Sequence, residues 1–139
     1  MQSTLIIWPM VILALATLYL YVPMSKARVK SVVDGKVKGS VYKLNVGEPE
    51  ESLRFTRAIS NQYETPTLYY AVCLAAYVTS NTSVAMIVLA WAFGLLKVVH
   101  TYVHVTTNNL RHRRPIFMMC YLILILLWIV FAVHLAKII

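Results

Sequence analysis

Residues 57–78 read RAISNQYETPTLYYAVCLAAYV, which is a polar segment followed directly by an apolar one that ends at Val78. At about 100° per residue, Arg57, Asn61 and Glu64 fall within roughly 60° of one another on a helix, so they form one polar stripe. Polar and ionisable side chains are costly at membrane depth and usually mark a functional site. The segment therefore predicts a membrane-spanning helix that carries a polar site where it enters the bilayer.

Apolar residues make up 60% of the 139-residue chain. A helix needs about 20 apolar residues to cross the hydrocarbon core. Four segments reach or approach that length and are interpreted as spans: 5–22, 58–78, 84–105 and 116–136. The first span has no positively charged n-region or cleavage site, so we interpret it as a retained helix and not as a signal peptide. Residues 1–139 are thus predicted to form a single all-α domain, a bundle of four transmembrane helices.

The basic residues follow membrane topology. Of the 13 Lys and Arg residues, eight lie between Lys26 and Arg57, and three more are Arg111, Arg113 and Arg114. Because Lys and Arg accumulate on the cytoplasmic side, the basic loop 25–50 is predicted to be cytoplasmic and both termini to lie outside the cytoplasm. This placement accounts for the formal charge of +8 without a nucleic-acid-binding function.

A second polar stripe ends the third span. Its members fall within roughly 80° of one another at about 100° per residue: Lys97, His100, His104, Asn108 and Arg111. Both stripes reach the same cytoplasmic edge, which favours a ligand pocket over a simple polar clamp between helices. Just before the fourth span lie Arg111, Arg113 and Arg114. They fit an anion site or lipid phosphates, and the two uses can coexist.

Histidine spacing does not predict a metal site. His100 and His104 are four residues apart, but no HExxH arrangement accompanies them. A haem held by His100 and His134 is excluded within one chain, because their depths would differ by roughly 15 Å at 1.5 Å per residue. A hydrogen-bonding role in a polar pocket is the better interpretation.

The motif Arg57-Ala58-x-x-Asn61-x-x-Glu64-x-Pro66 resembles the second-helix signature of the MAPEG family, the membrane-associated proteins of eicosanoid and glutathione metabolism. His100-Thr101 extends the likeness to the third helix. Asn108-x4-Arg113-x3-Phe117 is similar to the bacterial branch of the family. The resemblance covers essentially the whole chain.

This resemblance implies a homotrimer in the bacterial inner membrane, with sites at subunit interfaces that use glutathione as cosubstrate against lipophilic electrophiles or peroxides. It implies that Arg113, with Arg114 as its rival, stabilises the glutathione thiolate. The glutathione-binding residues that it implies are Arg57, Asn61, Glu64, Lys97, His100, His104, Asn108 and Tyr121.

Three positions depart from the pattern of glutathione-using relatives. Ser60 and Lys97 stand where those relatives have arginines, and His104 stands where they have a tyrosine. Lysine and serine do not replace the bidentate fork of arginine. A non-catalytic member of the same fold, which binds a lipid or a partner at its basic face, is therefore the alternative. The sequence leaves open the physiological substrate and the choice between transferase and peroxidase.

Overall fold

The computed structural model describes residues 3–44 and 46–137, and within these ranges the chain is mostly helical and contains no strand. The all-α class predicted from the sequence is confirmed. A short 3-10 helix at Thr4–Ile6 precedes six α-helices: α1 Trp8–Val33, α2 Ser40–Leu44, α3 Glu50–Gln62, α4 Thr65–Val78, α5 Val84–Val105 and α6 Leu110–Ala136.

Among the described residues, three helical segments are long and apolar enough to cross a membrane, by length and composition: Thr4–Val33, α5 and α6. The apolar blocks predicted at 5–22, 84–105 and 116–136 lie within them. α1 continues through Pro23 to Val33, so the first part of the predicted basic loop is helical. In the described part of residues 34–49, the short helix α2 is the only helix.

The predicted span 58–78 is not one helix. α3 begins after Pro49, as its acidic first turn indicates, but it ends at Gln62, and α4 begins at Thr65. Between them Glu64 has φ −88° and ψ −97°, which is not helical. Proline is favoured in the first turn of a helix, where its missing N–H needs no acceptor, so Pro66 starts a new helix instead of kinking a continuous one. In residues 3–44 and 46–137, three continuous candidate spans and one broken pair, α3 with α4, stand where four spanning helices were predicted.

The core lies between α1, α4, α5 and α6. The ring of Tyr69 stacks on Phe93 with centroids 4.4 Å apart, and its hydroxyl donates to the Ala90 carbonyl at 3.1 Å. Gly94 allows α5 to approach the start of α1, since a Cβ built on it would lie 3.1 Å from Pro9 Cβ. These contacts hold α1, α4 and α5 in close register.

We call one end of the bundle the basic end; it contains the Val33 end of α1, the start of α3, the Val105 end of α5 and the start of α6. Here Arg28 Nε donates to Glu48 at 2.9 Å, and Arg28 Nη2 donates to Thr56 at 3.0 Å. Burial alone would raise the pKa of the Glu48 carboxyl, but hydrogen bonds from Arg28, Ser52 and Thr56 outweigh it and hold that pKa below its ordinary value. This network ties the segment before α3 to α1.

Candidate functional site

An apolar cavity of about 550 Å³ opens at the basic end where α3, α5 and α6 meet. Leu110, Pro115 and Phe117 supply its apolar wall. Its polar lining residues are Asn61, His100, Arg111, Arg113 and Arg114. The volume lies in the range of small-molecule pockets, about 300–1,000 Å³.

A second, polar cavity of about 350 Å³ lies beside it. Its lining residues are Glu48, Glu50, Leu53, Arg54, Arg57, His104, Asn108 and Arg113. In the described ranges, Glu48 forms an ion pair with Arg28, and no ion pair involves Arg54, Arg57 or Arg113. The polar cavity therefore presents three guanidinium groups that are not neutralised by a direct carboxylate contact.

Arg113 lines both cavities. Asn109 caps α6 by accepting the Arg111 amide at 2.9 Å, which fixes the first turn of the helix. Arg113 Nη1 then donates to Asn108 Oδ1 at 2.8 Å, and Asn108 itself holds a left-handed φ of 48°. The next residue, Arg114, is exposed and lines the apolar cavity but not the polar one. The two rival arginines thus occupy different places.

His100 and His104 are almost fully buried, with 1% and 2% of their surface exposed. Their ring centroids are 5.9 Å apart, and His100 lines the apolar cavity while His104 lines the polar one. The Nδ1 atom of each ring has no hydrogen-bond partner in the part of the chain that the structure describes. In residues 3–44 and 46–137, no three His, Cys, Asp or Glu side chains are grouped so as to hold a metal ion.

Lys97 lies behind the wall of the apolar cavity and lines neither cavity. It is fully buried, and its Nζ donates to Asn61 Oδ1 at 2.7 Å and to Thr65 Oγ1 at 3.0 Å. Asn61 Nδ2 in turn donates to Glu64 Oε2 at 3.2 Å. Glu64 is exposed and lines neither cavity.

The helix break divides the first predicted stripe. Asn61 lines the apolar cavity, Arg57 is exposed and lines the polar one, and Glu64 lines neither but accepts a hydrogen bond from the Asn61 amide. Tyr121 is exposed on α6 and lines neither cavity. Of the predicted residues, the structure gathers these around the two cavities: Arg57, Asn61, His100, His104, Asn108, Arg111, Arg113 and Arg114.

Sequence reasoning did not assign Phe117, Gln62 or Thr101 to this site, although Phe117 and Thr101 belong to the family motif. The Phe117 ring lies 5.3 Å from Lys97 Nζ and 5.6 Å from the ring of His100. The Gln62 amide, also buried, donates to the Thr101 hydroxyl, which donates to the Lys97 carbonyl at 2.8 Å. A glutamine beside Asn61 at membrane depth was a usable signal, because a buried amide in a membrane span requires a partner.

These features define a helical membrane protein with a polar and an apolar cavity that share one arginine at its basic end. The family model of the MAPEG family matches residues 6–133, nearly the whole chain. The protein therefore belongs to the MAPEG family, as the resemblance implied. No curated protein and no solved structure matches the chain.

Proposed function

We propose that this protein is a membrane-bound, glutathione-dependent transferase or peroxidase that acts on lipophilic electrophiles. Membership of the MAPEG family supports a membrane protein of this type. The observation that carries the proposal is the position of Arg113, which lines a polar cavity on one side and an apolar cavity on the other. A thiol bound in the first would meet a lipophilic substrate bound in the second at this arginine.

The polar cavity suits the charges of glutathione. Glutathione carries two carboxylates, an ammonium group and a thiol. Arg54 and Arg57 supply forks for the carboxylates, and Glu50 supplies a carboxylate for the ammonium group. The unpartnered Nδ1 of His104 supplies a further hydrogen-bonding atom.

Arg113 is the proposed thiolate stabiliser, since it alone of the two rival arginines lines both cavities. An ordinary cysteine thiol has a pKa of about 8.5, and a neighbouring guanidinium favours the thiolate. In transfer, the thiolate sulfur forms a bond to carbon and the leaving group departs with the electron pair. In peroxide reduction, sulfur attacks one oxygen, the O–O bond breaks, and the alkoxide takes a proton from water. A second glutathione then reduces the sulfenic acid to the disulfide and water.

We propose that the working unit is a homotrimer in the bacterial inner membrane, with both termini outside the cytoplasm. Arg57, Glu64 and Tyr121 are exposed in the single chain. Contacts from a neighbouring subunit would complete the surroundings of these three residues. Membrane lipids are the other partners expected.

One observation favours the alternative, a non-catalytic member that binds a lipid or a partner at its basic face. Lys97 is turned away from both cavities, and exposed Ser60 donates only to the Thr56 carbonyl of its own helix, at 3.1 Å. Two positions that carry arginines in glutathione-using relatives thus supply no cation to the ligand. The alternative predicts a retained lipid and no glutathione binding.

Glutathione titration by calorimetry on the detergent-purified protein tests the proposal. We expect binding to the wild type, weakened about tenfold or more in Arg57→Ala, because a lost charge-assisted hydrogen bond is worth about 1.5–3 kcal/mol. Lys43→Ala, which removes an exposed charge from α2, is the matched control and should bind normally. Absence of glutathione binding, together with lipid retained in native mass spectrometry, would replace the proposal by the alternative.

A further inference from the structure

Lys97 makes its polar contacts with the two sides of the break between α3 and α4. Asn61 is in the last turn of α3 and Thr65 is the first residue of α4, and the Lys97 ammonium donates to both. Two neutral oxygens from separate helices therefore converge on one buried cation.

This ammonium has few other partners. The Phe117 ring is a further neighbour, with its centroid 5.3 Å from Nζ. In the described ranges, no carboxylate lies within salt-bridge distance of Lys97, and the connection to Glu64 passes through the Asn61 amide. Removing a partner from a buried charge costs more than a neutral hydrogen bond does, so each of these bonds constrains the break strongly.

Two of the groups that contact Lys97 belong to the wall of the apolar cavity. Asn61 and Phe117 both line it, whereas Lys97 is fully buried behind them. A long, flexible side chain that ends in three donors can fix both groups from behind. The ligand would touch Asn61 and Phe117 without touching the lysine.

We propose that Lys97 is a positioning residue for the apolar cavity. It clamps the α3–α4 break and thereby sets the place of Asn61 in the cavity wall, and it makes no contact with the ligand. Only the identity of the ligand, a lipophilic electrophile, rests on the function proposed above.

The clamp is tested first without any ligand, by hydrogen–deuterium exchange on Lys97→Met. Methionine keeps the length of the side chain but leaves the oxygens of Asn61 and Thr65 without their donor. We expect exchange at residues 63–67 to rise about tenfold or more, with exchange in the α5 core unchanged. Ser60→Ala, an exposed change next to Asn61, is the control. Unchanged exchange at residues 63–67, or an equal rise in exchange throughout the protein, would refute this role of Lys97.

A second variant covers the case in which Lys97→Met fails to fold. Thr65→Val removes one of the two acceptors and keeps the lysine and its bond to Asn61. We expect a smaller rise in exchange at the break, confined to the same residues. Wild-type exchange there in Thr65→Val would count against the clamp.

A double-mutant cycle on the affinity for a lipophilic aryl halide, the probe for the apolar cavity, tests whether Lys97 acts through Asn61. Lys97→Met and Asn61→Ala should each raise Kd about tenfold, and the double variant should be no weaker than the weaker single variant. Losses that multiply would mean that Lys97 contacts the ligand directly, and the positioning role would be refuted. If the wild type bound no glutathione, the proposed function would be refuted, and the exchange experiment would still decide the clamp.

Discussion

Replacing Arg113 by glutamine should lower glutathione turnover most at neutral pH. At 4 Å, a unit charge stabilises another by about 1 kcal/mol in water and by about 4 kcal/mol at an effective dielectric constant of 20. Arg113 is half-buried beside an open cavity, so we expect it to stabilise the thiolate by about 2 kcal/mol, which lowers the thiol pKa by about 1.5. The thiol pKa would then fall from about 8.5 to about 7, and the thiolate fraction at pH 7 would rise from about 3% to about 50%. We therefore expect Arg113→Gln to reduce kcat/KM at pH 7 about 15-fold.

The pH profile separates this effect from simple damage to the protein. With a lipophilic aryl halide as substrate, the Arg113→Gln deficit should shrink as pH rises above about 8.5, because both proteins then bind ionised glutathione. Lys30→Gln removes the same charge from the basic end without touching either cavity and should leave the profile unchanged. Arg114→Gln should lose less activity than Arg113→Gln. A deficit that is constant with pH, or a larger loss in Arg114→Gln, would refute the assignment of the thiolate stabiliser.

Further predictions concern stability. Hydrogen bonds hold the pKa of Glu48 below its ordinary value of 4.5, so its ion pair stabilises the fold above that pH. This contribution is lost as pH falls through the lowered pKa. In thermal unfolding between about pH 6 and pH 3, Glu48→Gln should therefore lose less stability than the wild type. Gly94→Val should lower the free energy of unfolding by about 1–3 kcal/mol, because even its Cβ meets Pro9 Cβ at 3.1 Å; a variant as stable as the wild type in detergent would contradict the close packing. Tyr69→Phe should lose about 1 kcal/mol in the same assay, since it leaves the buried Ala90 carbonyl without the tyrosine donor at 3.1 Å; an unchanged unfolding temperature would contradict this contribution.

The apolar blocks predicted the long helices well, because each of α1, α5 and α6 contains one continuous apolar segment. The same reasoning failed at the second span, where hydropathy continues across residues 58–78 but the backbone does not. A proline inside an apolar segment, such as Pro66, can kink a continuous helix. Proline is equally compatible with the first turn of a new helix, and here Lys97 of α5 donates to Asn61 and Thr65 on the two sides of the break.

Angular offsets placed the two predicted stripes at the end of the bundle where the two cavities lie, but did not assign each residue to a cavity. Offsets hold only along a continuous helix, so Glu64, beyond the break, left the stripe that Arg57 and Asn61 share. The direction of Lys97 was not predictable, because a flexible four-carbon side chain points to whichever neighbouring helix offers acceptors. The choice between Arg113 and Arg114 required the coordinates, since consecutive residues at a helix start differ by about 100°.

The shortness of α4 has a consequence for the lipid around the protein. Its 14 residues rise about 21 Å at 1.5 Å per residue, whereas the hydrocarbon layer of a bilayer is about 30 Å thick. The apolar part of α6, residues 116–136, rises about 32 Å. Such a hydrophobic mismatch is relieved by local thinning or by tilt, so the leaflet around this bundle would be uneven, thinner beside α4 than beside α6.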